Sequence, residues 1–165
     1  MIFLWVFCGL VFLLGLSVFV GAPYVPTHRG EIEGLFKELA LGPNDVVVDL
    51  GSGDGVVLRA AAKQGAKAVG VEIHPVFFAI SLILSFRWRN RVSNRLGNMW
   101  HFTLPNDTTI VFTFAASRYM ARIEERVRGE AKRLGRPLTL ICYGAPLAKL
   151  QPIKKIRAFS LYTIS

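Results

Sequence analysis

Residues 2–20 form an apolar run broken only by Gly9, Gly15 and Ser17, and no charge precedes Arg29. As a helix rising about 1.5 Å per residue the run reaches roughly 28 Å, close to a bilayer core. It lacks a basic n-region and exceeds the usual apolar core of a secretory signal. The pattern therefore predicts a retained transmembrane anchor over residues 1–21. Pro23 and Pro26, in Pro23-Tyr24-Val25-Pro26-Thr27, stop a helix and favour an extended exit. Thr27 is placed to cap the next helix, where Ile32, Leu35, Phe36 and Leu39 recur at helical spacing. Residues 22–43 read as linker and N-terminal helix.

From residue 44 the pattern alternates between short β-branched runs and longer amphipathic ones. Strands are expected at 46–50, 68–72, 93–97, 109–114 and 138–143, and a last edge strand at 155–164. Helices are expected from Val56 to about Gln64, ending at Gly65, and from Pro75 to about Arg89. Met120, Ile123, Val127, Ala131 and Leu134 mark the apolar face of a further helix, opposite a charged one. Strands alternating with helices imply an α/β domain over residues 44–165, with a Rossmann-like, mostly parallel sheet of about six strands.

Charge changes the picture at the front of the chain. The net charge is +9 over 165 residues, and the basic residues gather after the apolar run, beginning with Arg29 and Lys37. That asymmetry predicts a single-pass membrane protein whose C-terminal domain lies on the cytoplasmic side, with lipid as partner of the N-terminal helix. Cys8 falls in the anchor and Cys142 in an apolar strand, so neither suits a disulfide or a metal. His28, His74 and His101 are scattered and form no ligand pattern, so no metal is expected. The run from Phe86 through Arg87, Trp88, Arg89 and Arg91 to Arg95 has three readings. It suits a solvated helix end, anionic lipid headgroups or, less well, nucleic acid.

The chemistry concentrates in Val46-Val47-Val48-Asp49-Leu50-Gly51-Ser52-Gly53-Asp54-Gly55. A buried strand runs into an acid and three alternating glycines, and a helix follows. Glycines here let a nucleotide-like ligand approach the backbone where a Cβ would collide. Glu72 closes the next β-branched run, where a doubly wound fold presents a carboxylate to ribose hydroxyls. Asp54 serves either as helix cap or as cofactor contact. Asn98, in Gly97-Asn98-Met99-Trp100, is either a turn residue or a partner for an adenine edge, and Trp100 packs or stacks beside it.

The Asp-x-Gly-x-Gly-x-Gly turn, its strand and helix, and Glu72 resemble the class I S-adenosylmethionine (SAM)-dependent methyltransferases over residues 44–143. The resemblance implies SAM as cofactor. It puts Asp49 near the methionine part, Gly51, Ser52, Gly53, Asp54 and Gly55 around it, Glu72 on the ribose and Asn98 near the adenine. It also implies a terminal antiparallel hairpin, expected here in abbreviated form because only about twenty residues follow Tyr143. SAM is cytosolic, in keeping with the orientation read from charge.

The anchor, the exit motif and the run from Asp49 to Glu72 together look like the small membrane-tethered lysine methyltransferases related to the enzymes of the ATP synthase c-subunit and the adenine nucleotide translocase. That likeness implies a protein lysine at the membrane surface as acceptor, with Tyr24, Thr27 and Trp100 on the acceptor side. Two departures stand out: Asn98 replaces the family's usual Asp, and Ala115-Ala116-Ser117-Arg118 lacks an expected proline. No general base is nominated. Alternatives are a methyltransferase of a quinone or lipid and an inactive SAM-binding scaffold. Nucleic-acid amino methylation is disfavoured by Phe112-Thr113-Phe114-Ala115, and a short-chain dehydrogenase by Ile123 four residues after Tyr119.

Overall fold

The computed structural model describes residues 29–165 together with Trp5. The rest of the expected anchor and the exit motif with Tyr24 and Thr27 lie outside the described residues. Among the described residues no helix is long and apolar enough to cross a membrane.

Helix α1 (Arg29–Glu38) buries Ile32, Leu35 and Phe36, the periodic positions of its sequence. Then follow β1 (Val46–Leu50), α2 (Val56–Lys63), β2 (Lys67–Glu72), α3 (Pro75–Ser85) and β3 (Val92–Leu96). The chain continues through β4 (Ile110–Ala115), α4 (Ser117–Leu134), β5 (Leu138–Gly144), β6 (Lys154–Ile156) and β7 (Phe159–Ile164). Helix α3 stops before the expected Arg89, because the chain tightens into a 3-10 turn at Phe86–Trp88 that leads into β3. Gly65 follows α2 at φ 90°, a left-handed residue that ends the helix without a Cβ penalty.

One seven-stranded sheet has the order β3-β2-β1-β4-β5-β7-β6. The first five strands of this order pair in parallel, and β7 runs antiparallel to both β5 and β6. The sheet has seven strands rather than about six. The terminal hairpin is present in the abbreviated form expected, with β6 only three residues long, but the single edge strand expected over 155–164 is corrected. The stretch expected as one edge strand folds back at Arg157-Ala158, where Arg157 takes φ 53°. Strand β7 therefore lies inside the sheet and β6 forms the edge.

Two cores cover the two sheet faces. Ile32, Phe36, Leu58, Ala61, Val47, Phe112 and Phe159 belong to the core under α1 and α2. Val48, Leu50, Val111, Met120, Ile123, Val127 and Tyr162 belong to the core under α4. The alternation of strand side chains then assigns every other position to a face. The carboxyl ends of β1 and β2, where the glycine turn begins, open at one end of the sheet.

Candidate cofactor and acceptor site

Strand β1 carries Val47 into the α1–α2 core, so Asp49, two residues on, faces the same side. It is 3 % exposed. No described residue donates a hydrogen bond to its carboxylate. Burial pushes this carboxyl up to about 8, and the neighbouring charges of Glu72 and Asp54 push the same way. A buried acid with no hydrogen-bond donor among the described residues, beside two other carboxylates, is a site that a cationic or hydrogen-donating ligand would satisfy.

Gly51, Gly53 and Gly55 take φ 91°, 52° and 80°, so the turn uses the conformation that only glycine adopts freely. The Gly51 and Ser52 amides both donate to the Val71 carbonyl, at 2.9 and 3.0 Å, which pins the turn to β2. A Cβ on Gly51 would meet nothing within 4 Å among the described residues, so the backbone there borders open space. A Cβ on Gly55 would lie 2.1 Å from Ser81 Oγ, because α3 passes hard against the start of α2. Ser52 is buried against Gly70, whose absent Cβ would sit 2.6 Å from Ser52 Oγ.

Glu72 is fixed from two sides. Its Oε2 accepts the Gly53 amide and its Oε1 the His74 amide, both at 2.8 Å. Each oxygen keeps a lone pair for a ligand hydroxyl. Asp54 instead accepts from the Val56 amide and faces Arg59 across 3.3 Å, which makes it a helix-start residue held by an ion pair. Asn98 uses its carbonyl on the Trp100 amide at 3.0 Å, a local turn, leaving its amide nitrogen as the group for a base edge. Trp100 packs with the α4 core, its ring 4.1 Å from the Arg122 guanidinium, and so stands apart from the Asp49 side of the sheet.

The open backbone at Gly51, the buried Asp49 with no donor among the described residues and the anchored Glu72 fit an adenosyl group bearing a cationic amino-acid end. Comparison with known proteins gives the family. A protein-lysine N-methyltransferase of Saccharolobus islandicus is 30 % identical over 114 residues, covering 67 % of this chain and 70 % of that protein. The chain belongs to the protein-lysine N-methyltransferases. The Xenopus laevis lysine N-methyltransferase named for the ATP synthase c-subunit is 30 % identical over 118 residues, or 69 % of this chain and 50 % of that protein. The chain thus spans about half the length of this vertebrate relative. In fold, the chain matches an RNA methyltransferase of Salinibacter ruber solved with S-adenosyl-L-homocysteine. The TM-score is 0.69 at 20 % identity, covering 85 % of this chain and 92 % of the other. It is a class I SAM-dependent methyltransferase fold. No protein-family profile matches the chain.

Along the carboxyl ends of the sheet the same side continues past Asp49 and Glu72. Phe114 on β4 shares a face with Phe112, and Tyr143 on β5, its register partner, packs on that same α1–α2 core. The two rings lie 5.3 Å apart. Tyr143 donates its hydroxyl to Glu31 Oε2 of α1 at 3.2 Å, and burial followed by Glu31 raises the phenol pKa. Sequence reasoning missed Phe114, Tyr143 and Glu31, because Glu31 and Tyr143 are 112 positions apart. It also missed His74, whose Nδ1 is buried without a partner next to Glu72. The signal available for Gly70 was a glycine inside a strand, which marks close backbone approach.

Proposed function

We propose that this chain transfers a methyl group from SAM to a lysine of a membrane-associated protein, held to the membrane by residues 1–21 with its C-terminal domain on the cytoplasmic side. The observation that carries the reading is the row Glu72, Asp49, Phe114, Tyr143 and Glu31 along one side of the sheet's carboxyl ends. Its first half suits the cofactor and its second half suits a lysine.

SAM, once bound, supplies an electrophilic methyl on a cationic sulfur. Asp49 orients the ammonium of the cofactor's amino-acid end, Glu72 takes the ribose hydroxyls, and the glycine turn admits the backbone contact. Phe114 and Tyr143 offer aromatic faces for an alkyl stem that carries a cation. Glu31 draws the ammonium toward them. Tyr143 lies two strand spacings from β1, roughly 10 Å. A lysine side chain passing Tyr143 points toward the space above Gly51.

Transfer requires a neutral amine, and removing the proton at pH 7 from a lysine of pKa ~10.4 costs about 4–5 kcal/mol. Desolvation against these two rings lowers that cost, and Glu31 stands ready to accept the proton on the solvent side. Holding nucleophile, methyl and sulfur in line supplies much of the remaining acceleration. Anchoring adds effective concentration toward acceptors in the same membrane.

The test is methyl transfer from labelled SAM into native membranes by the full chain, followed by mass spectrometry. Label on a lysine of a membrane protein supports the reading. Label in extracted lipid or quinone, or in neither fraction, refutes it.

A further inference from the structure

Helix α3 is built inside out. Its eleven residues, Pro75-Val76-Phe77-Phe78-Ala79-Ile80-Ser81-Leu82-Ile83-Leu84-Ser85, contain no charge, and the buried ones are Ser81 and Ser85. Ser81 Oγ donates to Asn94 Oδ1 of β3 at 2.6 Å, and its contact with Gly55 shows how closely the helix lies on its neighbours. Two serines four residues apart allow that approach, and they turn the apolar positions outward. Val76, Ile80, Ile83 and Leu84 form one exposed stripe at helical spacing, with Ile83 75 % exposed, and Phe86 continues it at 66 %. Helix α4 does the opposite, burying Met120, Ile123, Val127 and Ala131 beneath a charged surface.

Beyond the stripe lies a cationic rim. Arg87, Arg89 and Arg91 are exposed, and no carboxylate among the described residues pairs with them. Arg89 instead sits 4.9 Å over the Phe86 ring. On α4, Arg126, Arg128 and Arg133 meet glutamates, whereas Arg118 and Arg122 sit over rings. Arg91 also donates to the Gly65 carbonyl, so the rim carries cations with no ion pair among the described residues. An uncharged stripe running into such cations matches the boundary between acyl chains and anionic headgroups. Nucleic acid would satisfy the arginines and leave the stripe in water.

We infer that α3 is a second membrane contact, lying in the plane of an anionic bilayer with Val76, Ile80, Ile83, Leu84 and Phe86 in the acyl boundary and Arg87, Arg89 and Arg91 among the headgroups. This contact is separate from the N-terminal segment. Helix α3 starts three residues after Glu72 and runs antiparallel to β2 and β3. With α3 flat on the surface, the carboxyl ends of the strands open sideways, at headgroup level. An acceptor lysine just outside the bilayer then approaches these carboxyl ends along the surface.

The experiment uses the full chain carrying Cys8→Ser and Ile83→Cys, labelled with an environment-sensitive fluorophore and reconstituted into vesicles. Cys142 stays silent, being buried with its thiol pushed up to about 12. The vesicles hold phosphatidylcholine with or without phosphatidylserine, and doxyl-labelled lipid reports contact. Expected in phosphatidylserine vesicles are a blue shift and doxyl quenching several-fold greater than for a label at Glu125→Cys on α4. Arg87→Glu with Arg89→Glu should remove most of that quenching while leaving calorimetric binding of S-adenosylhomocysteine unchanged. Three results overturn the inference: no quenching at Ile83→Cys, a blue shift without quenching, or a shift that needs added oligonucleotide. The second would mean that protein covers the stripe, and the third that the rim binds nucleic acid. Methyl transfer measured on the same vesicles reports separately on the proposed activity.

Discussion

The carboxylate of Glu72 accepts the backbone amide of Gly53 at 2.8 Å, so the end of β2 holds the glycine turn at the end of β1 in its open form. The same carboxylate holds the start of the next connection through the His74 amide. Glu72, proposed to take the ribose hydroxyls, is therefore also a clamp. Glu72→Gln places an amide nitrogen against one of two backbone N–H donors. It should weaken S-adenosylhomocysteine binding at least tenfold and destabilise the apo-protein by about 1–3 kcal/mol. Calorimetry and chemical denaturation measure the two effects, and a loss of affinity with unchanged stability would deny the clamp.

Gly55 and Ser81 form a second coupled pair. Gly55→Ala combines a left-handed φ, costing about 1–2 kcal/mol, with overpacking against Ser81 Oγ, costing about 1–3 kcal/mol. Adding Ser81→Ala removes the oxygen that the new Cβ meets. The double variant should be less destabilised than the sum of the two singles, as a denaturation cycle would show.

Asp49 gives the apo-protein a pH dependence of definite sign. Its carboxyl is raised to about 8 when folded, whereas an unfolded aspartate titrates near the usual 3.8. Between those values the folded chain holds a proton that the unfolded chain has released. Stability therefore falls as pH rises through that window, by up to about 1.4 kcal/mol per unit from this group. Asp49→Asn should flatten the decline and raise the melting temperature at pH 8. Binding a cationic ligand end should ionise Asp49, so calorimetry at pH 7 in buffers of different ionisation enthalpy should show proton release in the wild type and none in Asp49→Asn.

Tyr143→Phe and Glu31→Gln act on the proposed acceptor half of the row. Each should raise KM for the methyl acceptor several-fold while leaving S-adenosylhomocysteine affinity within twofold of wild type. Methyl-transfer kinetics with membrane acceptors provide the check. An equal loss of cofactor affinity would place these residues in the wrong half.

The legible parts of this chain were the local ones. A β-branched strand, alternating glycines and Glu72 sit within 27 residues of one another, and their spacing states the turn and its acid directly. The turn that splits the expected last strand was hidden because it is made by Arg157 at φ 53°, without the glycine or asparagine that announces such a position. Helix α3 read as an ordinary apolar helix, since composition does not say which side of Ser81 faces the sheet. The acceptor half required the fold itself. Only strand order brings Phe114 beside Tyr143, and only α1 packing brings Glu31 to Tyr143.

Calorimetric titration of S-adenosylhomocysteine into the full chain, Asp49→Ala and Glu72→Ala tests the cradle most directly. The account predicts saturable one-to-one binding to the wild type and a large loss in each variant, with all three proteins folded by circular dichroism. Equal affinity in the wild type and both variants would contradict it.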